Sequence, residues 1–310
     1  MRFSAAWLSP GRSRRAQRGE RVRRIGVLSN LAADDPEAQA RNAAFLQALA
    51  QLGWTDGRNV RIDFRWGAAD AERNRRYASE LVALAPDVIL ATGTPTLEPL
   101  QRATRNIPII FLQVTDPVGA GLVASLAHPG GNITGFTNYD YGMTAKWVEL
   151  LKEIAPRVTR ALVPRDVNSS GIGQFAAIEA VAPLLGLELR PADVRDEGEV
   201  ERAIAEFAQG SKGDHGLIVA ASGWIIVHRQ LIIALAARHK LPAVYPVRFF
   251  VADGGLIAYA ADTIDPYRRA AGYVDRILKG EKPADLPVQA PIRSGDQLED
   301  RQGARPHRAG

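Results

Sequence analysis

The 310-residue sequence contains no cysteine. That absence excludes disulfide bonds, thiolate metal sites and cysteine nucleophiles, and it is compatible with an oxidising compartment. No apolar stretch is long enough to span a bilayer. With 46% hydrophobic and 24% charged residues, the composition is otherwise ordinary for a globular protein, and the length favours two domains.

The net charge of +5 does not indicate nucleic-acid binding, because much of the basic excess lies at the two ends. Seven arginines fall within residues 12–24 and three within residues 301–308, whereas the middle of the chain mixes both signs. The sequence also lacks zinc-finger spacing and an RNA-binding aromatic motif. We therefore expect no nucleic-acid partner.

Catalytic motifs are missing as well. The five histidines do not stand at metal-ligand spacing. There is no Gly-x-Ser-x-Gly elbow, no phosphate-binding loop and no dinucleotide signature after the first predicted strand. The sequence predicts no catalytic residue, no cofactor and no metal, and hence no enzyme.

What the sequence does contain is an alternation of short apolar runs and amphipathic stretches, which predicts alternating strands and helices. The predicted strands are 25–29, 60–64, 87–91, 107–114, 160–163, 187–191, 216–220, 243–245 and 256–259. The predicted helices are 36–52, 71–84, 96–104, 144–154, 174–185, 197–208, 225–239 and 266–278.

This alternation favours an α/β fold with two doubly wound parallel-sheet lobes around a hinge, joined near the turn-rich residues 129–132. Ligands of doubly wound sheets bind at the carboxyl ends of the strands. The cleft between the lobes is therefore the expected site.

The residues at those strand ends are hydroxyls, amides, a carboxylate and aromatic rings, which suit a polar binding cleft. The candidate ligand-binding residues are Ser29, Asn30, Thr92, Gly93, Thr94, Gln113, Thr115, Asp116, Thr137, Tyr139, Asn168, Ser169, Ser222 and Tyr245. Two of these signals have a structural alternative. Thr94 is equally suited to capping a helix after a Gly93 turn, and Asp116 to closing an Asp-Pro turn.

Several motifs together resemble the ABC-transporter substrate-binding proteins of the tryptophan/tyrosine type. The matching segments are IGVL at 25–28, FLQAL at 45–49, LGW at 52–54, GRNV at 57–60, TDPVGAGLV at 115–123, PGGNITG at 129–135, LPAVY at 241–245, and residues 267–282. The resemblance covers about residues 20–291.

This resemblance implies a type I periplasmic-binding-protein fold, a periplasmic location and delivery of a small polar or aromatic solute to a membrane permease by a monomer. It implies a first lobe of residues 22–134 plus 262–291, to which the last helix returns, and a second lobe of residues 135–261. The alternative is a ligand-sensing module of the same fold without a transport role.

One departure from the family pattern concerns the solute. Aromatic-amino-acid binders of this type carry an aspartate after the strand that corresponds to residues 217–219, where it holds the α-amino group. Here the sequence continues Ala220-Ala221-Ser222-Gly223-Trp224. The sequence is therefore compatible with a carboxylate, an amide or another polar aromatic solute as well as with an amino acid. Trp224 is suited either to stacking on a ligand or to packing near the hinge.

The two ends do not fit the resemblance. Residues 1–21 contain no legible signal peptide, although a one-base shift within residues 3–17 permits an apolar segment with a small-residue cleavage site. A one-base shift from residue 292 likewise permits a family-like ending. We expect residues 1–21 to be a vestigial signal region and 292–310 a disordered or out-of-frame tail, with residues 1–20 and 294–310 not packing. Sequencing the gene across both junctions tests the frameshift hypothesis against ordinary disorder.

Overall fold

The computed structural model of the protein describes residues 21–137, 142–166, 171–290 and 298–300, which contain two β-sheets. The first sheet has five parallel strands in the order β2-β1-β3-β4-β5. Its strands are β1 (Arg23–Ser29), β2 (Val60–Trp66), β3 (Val88–Thr92), β4 (Ile109–Val114) and β5 (Ile133–Thr137).

The second sheet has six strands in the order β11-β10-β9-β8-β6-β7, parallel except for the antiparallel edge strand β11. Its strands are β6 (Arg160–Arg165), β7 (Glu188–Asp193), β8 (His215–Ile218), β9 (Ala243–Tyr245), β10 (Ile257–Tyr259) and β11 (Leu298–Asp300).

The described helices lie between the strands along the chain. They are α1 (Pro36–Gln51), α2 (Ala71–Ala83), α3 (Thr94–Ala103), α4 (Gly142–Ile154), α5 (Gly171–Val181), α6 (Glu197–Ala208), α7 (Gly223–Val227), α8 (Arg229–Arg238), α9 (Phe249–Ala252) and α10 (Asp265–Leu278), with 3-10 turns at Ala182–Leu185 and Pro283–Asp285. None of these helices is long and apolar enough to cross a membrane.

Aspartates fix where three of these helices begin. Asp35 accepts hydrogen bonds from the backbone amides of Glu37 and Ala38, and Asp70 and Asp196 each accept one from the third residue beyond them. A side-chain acceptor at this position satisfies amides that have no partner inside the helix. The starts of α1, α2 and α6 are thus determined locally by the sequence.

Each sheet is covered by helices on both faces. In the first lobe, α1 and α10 bury one face and α2 and α3 the other, so that Val27 packs with Phe45 and Tyr267 while Leu28 packs with Leu81. In the second lobe, α6, α8 and α9 cover one face and α4 and α5 the other. The architecture confirms the prediction of two doubly wound parallel-sheet lobes.

The chain crosses between the lobes after β5, after β10, and a third time between Gln289, which pairs with β5, and β11, which pairs with β10. Helix α10 lies beyond the second crossing, and its Ala270 and Val274 belong to the core of the first lobe. Helix α10 therefore packs on the first lobe, to which the family resemblance assigned the last helix. Residue Gln289 then pairs with the end of β5, where its carbonyl accepts from the Thr137 amide at 2.9 Å.

Strand β5 was not predicted from the sequence. Residues 129–132 form a turn, and Gly135 interrupts the short apolar run that follows, so the pattern resembled a connection. The free edge of β4 nevertheless pairs with residues 133–137, with Gly135 opposite Phe111. The predicted lobe boundary at residue 134 falls inside β5, and the division of the chain into lobes at that residue stays a prediction.

Two other expectations need correction. The predicted helix 225–239 is divided at His228, whose ring Nδ1 lies 2.9 Å from the Trp224 carbonyl oxygen that also accepts its backbone amide. The expectation that residues 294–310 do not pack is wrong for Leu298–Asp300, which pair with β10. An exposed strand edge accepts an extended segment through backbone groups, which leave little trace in a sequence pattern. Residues 1–20, 291–297 and 301–310 lie outside the described residues.

Candidate functional site

Both lobes line a small cavity at the carboxyl ends of their strands. This inner cavity has a volume of about 50 Å³. The first lobe contributes Asn30, Leu31, Arg41, Thr92, Gly93, Thr94, Pro95, Gln113 and Thr115, and the second lobe Ala221, Ser222, Gly223 and Ile226. The strand-end rule thus located the cavity, because parallel strands bring the residues that follow them to one edge.

On the first-lobe side, the ends of β1 and β3 are joined to each other. The Asn30 amide donates to Thr92 Oγ1 at 2.9 Å. Gly93 then adopts φ 82°, in the left-handed region that favours glycine, and stands at the N-terminus of α3 without a side-chain cap. Thr94 and Pro95, the first two residues of α3, line the inner cavity. The positive end of the helix dipole therefore faces it.

Gln113 owes its direction to an irregularity in β4. Its φ is 58°, and the pairing register with β5 shifts between Leu112 and Val114. A bulge of this kind turns one side chain away from the regular alternation of the strand. The Gln113 amide oxygen consequently accepts a hydrogen bond from Arg41 Nη1 at 2.8 Å.

On the second-lobe side, a buried amide fixes the backbone after β8. Gln174 donates to the Ala221 carbonyl and accepts from the Ala221 amide, both at 2.8 Å. Ser222 Oγ accepts a hydrogen bond from the Ile225 amide and so caps α7. These contacts fix the backbone at Ala221 and Ser222, which form part of the second-lobe wall of the inner cavity.

Sequence analysis missed Arg41, which is only 2% exposed and lines the inner cavity. It stands on the apolar face of α1 with Ala38, Phe45 and Leu49, at the spacing of three and four residues that marks a core-facing stripe. A charged residue inside such a stripe was the signal that could have revealed it.

Seven of the fourteen predicted site residues line the inner cavity: Asn30, Thr92, Gly93, Thr94, Gln113, Thr115 and Ser222. Three others, Tyr139, Asn168 and Ser169, lie outside the described residues.

The remaining four, Ser29, Asp116, Thr137 and Tyr245, do not line it. Asp116 Oδ1 accepts from the Gly119 amide at 2.8 Å and closes the Asp-Pro turn, as the structural alternative had it. The Ser29 hydroxyl accepts a hydrogen bond from the Leu31 amide, and the Thr137 hydroxyl donates one to the Gln289 carbonyl. Tyr245 is buried against Phe250, and burial raises the pKa of its phenol.

A second, larger cavity adjoins the inner one and shares Thr94 and Pro95 with it. This outer cavity has a volume of about 360 Å³. Its other lining residues are Ala69, Ala71, Arg75, Glu98, Pro99, Arg102, Asp166, Val194, Arg195 and Trp224. Trp224 stacks on His228 with ring centroids 4.0 Å apart, so that the indole has one ring face already covered by the protein.

Polar contacts join the two lobes beside the inner cavity. Arg229 on α8 donates to Asp35 Oδ2 at 2.8 Å and to Asp253 Oδ2 at 2.6 Å. Desolvation lowers the pKa of Arg229, but its hydrogen bonds to Asp253 and Asp35 outweigh that effect and raise the pKa above its usual value. The guanidinium thus remains charged and holds the first lobe to the second.

The comparisons with known proteins agree with this geometry. Residues 25–295 match the family model described as ABC transporter substrate binding protein. A tyrosine-binding protein from Clostridioides difficile is 30% identical over 258 residues, which are 82% of this chain and 73% of that protein.

Two solved structures with comparable sequence identity also align over most of the chain. A conserved domain protein from Vibrio cholerae has a TM-score of 0.82 at 27% identity, covering 90% of this chain and 92% of that one. An ABC domain in complex with L-Trp from Streptococcus pneumonia has a TM-score of 0.79 at 26% identity, covering 86% and 88%.

Proposed function

This chain belongs to the family of ABC transporter substrate binding proteins, and we propose that it captures a small polar or aromatic organic solute between its lobes for import. The chain has the type I periplasmic-binding-protein fold that the resemblance implied, and the two solved structures described above align with it over most of its length. The observation that carries the proposal is the pair of adjoining cavities that both lobes line: the inner one, of about 50 Å³, has room for a polar head group, and the outer one, of about 360 Å³, for the body of a solute.

A contact between the lobes supports closure. The Asp35–Arg229 ion pair, 2.8 Å long, joins the start of α1 in the first lobe to α8 in the second. A solute that contacts both lobes favours the closed arrangement by its differential affinity for the two states. The closed form is then the one that a membrane permease recognises.

The role is that of a receptor on the outer side of the membrane, acting as a monomer without catalysis. Among the described residues no group of three or more histidine, aspartate or glutamate side chains could hold a metal ion. The inner cavity is lined by hydroxyls, amides and one guanidinium. Such groups orient a solute by hydrogen bonds and release it unchanged when the lobes open.

A thermal-shift screen of amino acids, aromatic acids and amides tests this function. A true solute at about 100 times its Kd should stabilise the protein by about 2.7 kcal/mol, or roughly 5 °C in Tm. Small-angle scattering should show a smaller radius of gyration with the solute, and chromatography should recover the solute intact. Conversion of a hit into another compound, or no stabilisation by any class, would contradict the proposal.

Gly223→Ala should weaken the binding of such a solute about tenfold, because a Cβ at residue 223 would lie 2.2 Å from Asn30 Nδ2 in the opposite lobe. The measurement is isothermal titration calorimetry. In an Asn30→Ala background, the same glycine substitution should cost little further affinity, since the obstacle is gone. An equal loss in both backgrounds would show that the contact across the cleft is not the cause.

A further inference from the structure

We infer that Arg41 is the anion receptor of the inner cavity and that the captured solute is a carboxylate without an ammonium group. This inference rests on the solute-binding function proposed above and names its substrate class. The residues that carry it are Arg41, the two side chains that hold it, and the acceptors and donors that share the cavity with it.

The guanidinium of Arg41 is buried but only partly paired. Its Nε donates to Glu37 Oε1 and its Nη1 to Gln113 Oε1, each at 2.8 Å. Among the described residues, no acceptor meets Nη2 with hydrogen-bond geometry, and Arg41 is 2% exposed. A buried donor without a partner is destabilising, and more so on a charged group. The residue lines the inner cavity, so a solute oxygen there would supply the missing acceptor.

The position of the guanidinium is fixed from several sides. Glu37 is itself held by the Thr263 hydroxyl, and Gln113 by the bulge in β4. The rings of Phe249 and Tyr267 each lie with their centroids 5.8 Å from Arg41 Cζ. Burial raises the pKa of Tyr267, while the charge of Arg41 and a hydrogen bond with it act in the opposite direction, so the Tyr267 hydroxyl also helps to position the guanidinium. A guanidinium that loses little freedom on binding is well suited to a planar carboxylate.

The rest of the inner cavity also favours an anion. The N-terminus of α3 contributes the positive end of its dipole, and Thr92 and Ser222 contribute hydroxyls. Among the described residues that line the inner cavity there is no aspartate or glutamate; Glu98 and Asp166 line the outer cavity instead. Asp116 closes a turn, and Asp262, beside a neighbouring 20 Å³ cavity, accepts from the Ile264 and Asp265 amides. An ammonium group would therefore lie beside Arg41 without a carboxylate to neutralise it.

The test compares solutes that share a body and differ in one group. The probes are the free acid, the primary amide and the α-amino acid forms of 3-phenylpropionate, 3-(4-hydroxyphenyl)propionate and propionate, titrated calorimetrically into the full chain. For the body that binds, the acid should bind at least about tenfold more tightly than the amide, since a charge-assisted hydrogen bond is stronger than a neutral one. The α-amino acid should bind more weakly than the acid.

Arg41→Met should weaken acid binding about 100-fold and bring the acid-to-amide ratio close to one, whereas Arg41→Lys should retain part of the preference. A merely structural role would weaken both forms equally. Arg61→Met, an exposed arginine on β2, is the matched control and should leave the ratio unchanged. Should Arg41→Met not fold, as judged by circular dichroism, Gln113→Asn provides the second variant. Asparagine tolerates the positive φ at residue 113 but is too short to hold Nη1, so the ratio should fall severalfold.

An unchanged ratio in Arg41→Met, or in Gln113→Asn where that variant is the one measured, would overturn the inference. So would tighter binding of the amide or the α-amino acid than of the acid by the wild-type protein, and either result would leave the solute-binding function standing. If no probe of any form bound the wild-type chain, the proposed function would fall together with the inference.

Discussion

Gly135→Ala is expected to lower the free energy of unfolding by about 3 kcal/mol, the largest effect on stability among the changes considered. An added Cβ at residue 135 would stand 2.1 Å from the carbonyl oxygen of Phe111 and 2.7 Å from its amide nitrogen. Both atoms belong to the backbone of β4, which pairs with β5 at this point. The collision can be relieved only by moving one strand away from the other.

Chemical denaturation followed by circular dichroism measures this loss. Gly272→Ala is the matched control, because the same substitution inside α10 meets no atom within 4 Å. Alanine is a better helix former than glycine, so this control should gain roughly 0.5–1 kcal/mol. A Gly135→Ala protein as stable as the wild type would show that β5 does not pair with β4 as described.

Arg229→Met is expected to weaken solute binding roughly 30-fold, which corresponds to about 2 kcal/mol. The substitution removes the cation that joins Asp35 in the first lobe to Asp253 in the second. Both the Arg229 and the Asp35 side chains are little exposed, at 12% and 11%, so water replaces the lost ion pair poorly in the closed form. In the open form both carboxylates are expected to regain water, and the equilibrium between open and closed lobes therefore shifts.

Calorimetric titration of the solute, together with scattering for lobe closure, checks this result. Arg238→Met on the same helix is the control, since Arg238 is exposed and lies outside the cleft. Because the pKa of Arg229 is raised by its acidic partners, raising the pH to about 9 should not reproduce the loss. Wild-type affinity in Arg229→Met would mean that the ion pair does not contribute to closure.

Much of the fold followed from the sequence because the deciding signals were local. Apolar runs marked the strands, and amphipathic stretches marked the helices, three of which begin after aspartates that the structure shows to be caps. Strand β5 was missed because its pairing depends on the free edge of β4, which is distant in sequence. The break at His228, whose ring lies 2.9 Å from the Trp224 carbonyl oxygen and stacks on the indole, was also missed. Periodicity records neither a distant pairing edge nor a contact of this kind between two side chains.

The candidate site was predictable to the extent that topology determines it. Asn30, Thr92 and Ser222 were found because parallel strands end at one edge of a sheet. Arg41 comes from the middle of a helix, where the strand-end rule does not apply, and its pairing with Glu37 four residues earlier resembles an ordinary surface pair. Its burial became visible only when α1 was placed against residues near 263, far along the chain.

The placement of α10 also determines the order in which the protein can be completed during synthesis. Every strand of the first sheet has been synthesised by residue 137, yet the apolar face that β1 and α1 present is covered by Tyr267, Ala270 and Val274. The segment from α4 to β10 emerges in between and holds most of the elements of the second lobe. The apolar face of the first lobe therefore stays exposed while the second lobe is synthesised. Exposed apolar surface promotes aggregation during that interval.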